Sequence, residues 1–118
     1  MTESVVEFER LLQDYESIAE RLAVMTQEFA EHRVVAVLPA ATTLELNGSF
    51  NEDWLRVLRI ERVLDRAGRV LYDAAAGGTD AVETVIDEVN TEYLDLLMDL
   101  TGDAYLGRHE VTMVPGGR

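Results

Sequence analysis

The chain has 118 residues, no cysteine, 23 acidic side chains and 10 arginines with no lysine, for a formal net charge of -13. Disulfide frameworks, thiolate metal sites and cysteine nucleophiles are excluded together, and phosphate backbones would be repelled by most of such a surface. Arginine used without lysine fits a GC-rich genome, and the acid excess resembles the proteomes of salt-loving archaea; a GC-rich actinobacterium, or a virus of either host, fits as well. The N-terminal residues carry neither the basic start nor the apolar run of a signal peptide, and no uninterrupted apolar stretch approaches the roughly 20 residues of a membrane span. A soluble cytoplasmic protein, or a virion protein if viral, is the expectation.

From Ser4 to about Glu31, Phe8, Leu12, Tyr15, Ala19, Leu22 and Phe29, with Thr26 between the last two, recur at spacings of four and three. This heptad seam predicts a helix over residues 1–32, widened on one flank by Leu11, Ile18 and Met25 and capped by Ser4 with Glu7. At 1.5 Å per residue it would be roughly 40 Å long, so further elements or a neighbouring subunit must cover its apolar face. Residues 33–48 then change character. Val34, Val35 and Val37 precede Pro39, and the run from Thr43 to Leu46 alternates, which predicts a short hairpin turning near Pro39-Ala40-Ala41. Continuation of the first helix to Leu38 competes with that reading, but the residue before a proline avoids helical angles.

Residues 49–101 read as an antiparallel helix pair. The first runs from about Asn51 to Ala75, with Val57, Ile60, Val63, Leu64, Ala67 and Leu71 on its apolar face and Gly68 inside it. Gly77-Gly78 ends it, and Thr79 or Asp80 caps a third helix that runs to about Leu100. Residues 102–118 form an extended C-terminal arm, with a short strand from Val111 to Val114. The fold class is therefore mainly α: one domain of three amphipathic helices, with a short β-hairpin after helix 1 and the arm.

Segment 54–71 holds five of the ten arginines and has a local charge of +3, against -16 for the rest. On a helix, Arg59, Arg62, Arg66 and Arg69 share one sector, and Arg56 stands apart. Glu88, Glu92, Asp95 and Asp99 form a matching sector on the third helix, which suggests the ladder Arg59 with Asp99, Arg62 with Asp95, Arg66 with Glu92 and Arg69 with Glu88. Alternatively, part of the stripe meets an acidic surface on a second subunit or a partner. Nucleic acid is disfavoured by the missing lysine and the surrounding charge.

Catalytic signatures are missing. Glu28 and His32 could offer two metal ligands on one face, but no Glu-x-x-His pair is present; Gly77-Gly78 lacks the phosphate-loop spacing; and no serine is tied to a base. No enzyme, cofactor or metal is expected. Trp54, with Phe50 nearby, either staples the hairpin to the second helix or anchors a partner. The expected partner contacts are Arg56, Arg59, Arg62, Arg66, Arg69, Trp54, His109, Val111 and Met113.

The order helix, hairpin, helices and trailing arm loosely resembles the small head-to-tail connector proteins of tailed viruses. That resemblance is one of architecture and implies an arm that adds a strand to a neighbouring ring. The expectation is a non-enzymatic assembly subunit that associates with itself or with another protein. A small intracellular regulatory or ligand-binding helical domain, acting as monomer or dimer, is the alternative.

Overall fold

The computed structural model describes residues 2–113, and its architecture is mixed α/β. Helix α1 (Thr2–Val37) precedes a meander of β1 (Thr43–Phe50), β2 (Arg56–Leu64) and β3 (Val70–Asp73). An interrupted helix follows as α2 (Asp80–Glu88), a π-helical turn (Val89–Leu94) and α3 (Asp95–Thr101). A 3-10 turn (Gly102–Tyr105) then returns the chain to β4 (Gly107–Thr112). The strands form one antiparallel sheet in the order β3-β2-β1-β4, so the interrupted helix carries the chain from one sheet edge to the other.

This overturns the expected three helices with a single hairpin. Residues 51–75 are not helical but form the β1–β2 turn, β2 and β3. The side chains of Leu58, Ile60 and Val63 are buried, and Glu61 is an extra residue on β2, because Glu45 pairs with Arg62 while Leu46 pairs with Ile60. A bulge reverses the in/out alternation at that point. It stretches the spacing of buried positions from two to three, which in sequence imitates a helix. Gly68 is not in a helix interior but in the β2–β3 turn, at φ 83.

The hairpin expected at residues 33–48 is also absent. Helix α1 continues to Val37, with the Leu38 N–H closing the last turn on the Val34 carbonyl at 2.8 Å. Pro39 restricts only the residue directly before it, and Val34, fully buried in the core, holds the β-branched run in helical form. The C-terminal arm is not free as far as Met113. Residues Gly107–Thr112 pair along β1, and the Met113 N–H reaches the Thr42 carbonyl at 2.8 Å. Val114, the end of the strand expected there, lies outside the described residues. The likeness to connector proteins rested on the helix, hairpin and arm order and falls with it.

One core joins the layers. Leu44, Leu46, Leu58, Ile60, Val63 and Tyr72 from the sheet pack with Ile86, Val89, Leu94, Leu97 and Met98 from the interrupted helix, and with Ala30 and Val34 of α1. Gly48 lets β1 approach the turn before β4, since a Cβ there would lie 1.9 Å from the Tyr105 carbonyl oxygen. Thr79 caps α2 by accepting the Val82 N–H, and Gly102, at φ 64, ends α3. Side-chain links help fasten α1 to the body. Arg33 grips Glu88 through two bonds of 2.7 and 3.1 Å, and the Tyr105 hydroxyl donates to Gln27 at 2.9 Å.

The π-helical turn has a structural task. Strand β3 pairs only with Arg62, Val63 and Leu64 of β2, which leaves the rest of that edge without a strand. There Asn90 Oδ1 accepts the Ile60 N–H at 2.9 Å, and the Asn90 carbonyl accepts from Arg59 at 3.2 Å. A helical side chain thus closes a strand edge that would otherwise invite pairing with another chain. Asn90→Ala strips the acceptor from the N–H of buried Ile60 and should cost about 1–3 kcal/mol in urea denaturation, with the secondary structure retained.

Candidate interaction surfaces

Three exposed features stand out from this framework: the arginines of β2 and its turn, the tip of the β1–β2 hairpin, and the outer face of α1. The arginines meet carboxylates of their own chain, though not in the expected ladder. Arg59 bonds Asp95 at 2.9 Å and Arg62 makes a two-point contact with Glu45 on the neighbouring strand. Arg69 bonds Asp65 at 3.1 Å, and Arg56 pairs with Asp103. Arg66 is exposed at the β2–β3 turn, and Glu88 is held by Arg33. The proposed partners differ because the arginines sit on a strand and its turn, where their spacing along the chain is about twice that of a helix. Each pair is partly exposed and contributes between about 0 and 1 kcal/mol.

The hairpin tips share one design. In the first turn Asn51 Oδ1 accepts the N–H groups of Asp53 and Leu55, and in the second Asp65 Oδ1 accepts those of Ala67 and Arg69. In each, the fourth residue donates its N–H to the carbonyl of the first: Trp54 to Asn51, and Gly68 to Asp65. The fourth residue has positive φ in both, 60 at Trp54 and 83 at Gly68. Glycine adopts this backbone freely, whereas another residue pays about 1–2 kcal/mol. Trp54 therefore occupies a strained position in which its side chain is 81% exposed, with Phe50 and Leu55 exposed beside it. An open depression of about 510 Å³ lies next to them, lined also by Arg56, Arg59, Asp95 and Asp99. Strained, exposed aromatic residues of this kind gather at binding sites.

Helix α1 offers the largest apolar surface. Among the described residues, 3–18 are exposed throughout, and the C-terminal part of the helix packs on the body through Ala30 and Val34. Nine large apolar side chains on one side, Val5, Phe8, Leu11, Leu12, Tyr15, Ile18, Leu22, Met25 and Phe29, are between 41% and 67% exposed. Together they offer on the order of 1,000 Å², more than the 300–600 Å² of the largest apolar patch on a typical monomer. No known protein family, curated protein or solved structure matches the chain. Function is therefore read from these surfaces alone.

The remaining expected contacts are placed within the fold. Met113 is buried in the core, Val111 packs against it, and His109 is half-buried, bonded to the Leu106 carbonyl and in ring contact with Tyr105. Among the described residues no group of three or more histidine or acidic side chains is placed to hold a metal ion, and no helix is long and apolar enough to cross a membrane. The sequence signals for these two turns are Asn51 three residues before Trp54 and Asp65 three before Gly68.

Asp65, nearly buried, is held below the usual carboxylate range chiefly by the Arg69 N–H, against the opposing effect of desolvation, and further by the Arg69 guanidinium and the Ala67 N–H. Because the folded value lies below the unfolded one, this stabilisation is fully present above about pH 4 and is lost as pH falls through the folded value. Asp65→Asn should keep the turn, as Asn51 does in its own, and should flatten the loss of stability between neutral pH and about pH 3, read by urea midpoints. Trp54→Gly should relieve the backbone strain and raise the denaturation midpoint, by up to about 1 kcal/mol.

Proposed function

We propose that this protein is a non-enzymatic assembly subunit that associates through the outer face of α1. The observation that carries this reading is the row of nine exposed apolar side chains along a helix whose residues 3–18 are all exposed among the described residues. An isolated helix half of this length is marginal in water, so a protein that keeps it apolar on one side gains stability only when that side is covered. The strained Trp54 tip supplies a second contact surface at a separate place on the chain. The excess of acids over arginines keeps the remaining surface hydrated and suits a protein that works at high salt.

Charge opposes association and apolar burial drives it. Before Leu22, α1 carries six acidic residues (Glu3, Glu7, Glu9, Asp14, Glu16 and Glu20) against Arg10 and Arg21. Salt screens that repulsion and leaves the apolar contribution in place. Light scattering on the full chain should therefore give a mass above that of one chain, with tighter association in molar salt than in low salt. Tyr15→Glu with Ile18→Glu should return the monomer with the sheet still folded, its melting lowered only by the loss of association. A monomeric mass for the unmodified chain at both salt concentrations would overturn the proposal.

A further inference from the structure

The body selects which side of α1 is free. Ala19 is half-buried and Thr26 is buried, so the flank they share is turned toward the protein's own core. The opposite flank leaves Phe8, Leu11, Tyr15, Ile18, Leu22, Met25 and Phe29 exposed, at spacings of three and four without interruption. Every position of that seam is a large apolar residue, which is the pattern of knobs packing into a partner helix.

We infer that the occupant of this seam is the same helix of a second copy, running antiparallel, with the two-fold axis beside Glu16 and Ser17. This rests on the assembly reading above and specifies its partner and geometry. In that alignment Phe8 faces Met25 of the second copy, Leu11 faces Leu22, and Tyr15 faces Ile18, each contact occurring twice. The nine exposed side chains offer on the order of 1,000 Å² per chain, a size comparable with the roughly 800 Å² that each partner buries in a standard stable interface.

The separation of the two acidic bodies supports this choice of direction, while the flanking charges of the seam balance. The flanking position of Asp14 falls beside Arg21 of the second copy, giving two symmetric ion pairs. The same alignment sets Glu7 beside Glu28, a repulsion that salt screens. A parallel pair would instead stack Phe8, Tyr15 and Phe29 each on its own counterpart and lay two strongly acidic bodies at the same end. The antiparallel pair puts those bodies at opposite ends, sets Phe8 and Tyr15 against the non-aromatic Met25 and Ile18, and leaves Phe29 opposite Ser4.

Cysteine trapping tests the geometry, because the chain contains no thiol of its own. Full-length Leu11→Cys carrying an affinity tag is mixed with untagged Leu22→Cys and oxidised, with light scattering on the reduced proteins alongside. Both positions are exposed in the single chain, so neither change should impair folding. The expected product is the mixed disulfide, several-fold over either homodisulfide. Homodisulfides formed by each variant alone would show a parallel pair and overturn the antiparallel assignment. Dimeric mass without either kind of disulfide would place the interface elsewhere, overturning this inference while the assembly reading stands; monomeric mass throughout would remove both.

Discussion

The packing of one sheet face against the helical stretch 80–101 is the contact on which the other features depend. Leu58, Ile60 and Val63 on β2 meet Ile86, Val89, Leu94 and Leu97 across it. A stretch that joins opposite edges of a four-stranded sheet must cross that face, and in doing so it occupies most of the apolar cover the sheet can offer. The interruption at Val89–Leu94 brings Asn90 against the unpaired edge of β2, so one irregular turn both permits the crossing and closes the edge. Irregular helical turns are often associated with function, and here the freed backbone and side-chain groups have a structural use.

What remains for α1 follows from that arrangement. Its C-terminal part finds a place beside the interrupted helix, fixed by Ala30 and Val34 and by the links from Arg33 to Glu88 and from Tyr105 to Gln27. Its N-terminal half extends past the body. The protein measures 59 Å along its longest axis, a length set by this helix, for which 36 residues correspond to about 54 Å. An apolar seam that the described residues leave exposed is thus a direct consequence of a small body joined to a long helix.

The electrostatics fit the same picture. Arg56, Arg59, Arg62 and Arg69 are engaged by carboxylates of their own chain, each in a partly exposed setting where an ion pair fixes geometry more than it adds stability. The basic segment is therefore an internal counterweight to Glu45, Asp65, Asp95 and Asp103. Apolar area, at α1 and at the Trp54 tip, is what the described residues leave exposed once these arginines are engaged.

The sequence by itself determined the long amphipathic helix through Glu31, though not its start, which precedes the expected Ser4 cap, together with its apolar seam, the absence of cysteine and the helical run opened by Thr79, because those signals are local and periodic. The residues from Arg56 to Leu64 satisfy both periods, since a bulge at Glu61 spaces the buried positions by three, and their state was decided by pairing with β1. Likewise Val34 to Val37 have strand propensity, yet burial of Val34 keeps them helical. Tertiary structure also decided which flank of the seam stays free, by turning Thr26 inward and leaving Leu11, Ile18 and Met25 outside. Pairing, burial and the choice of a free face depend on residues distant in the chain, and no local pattern contains them.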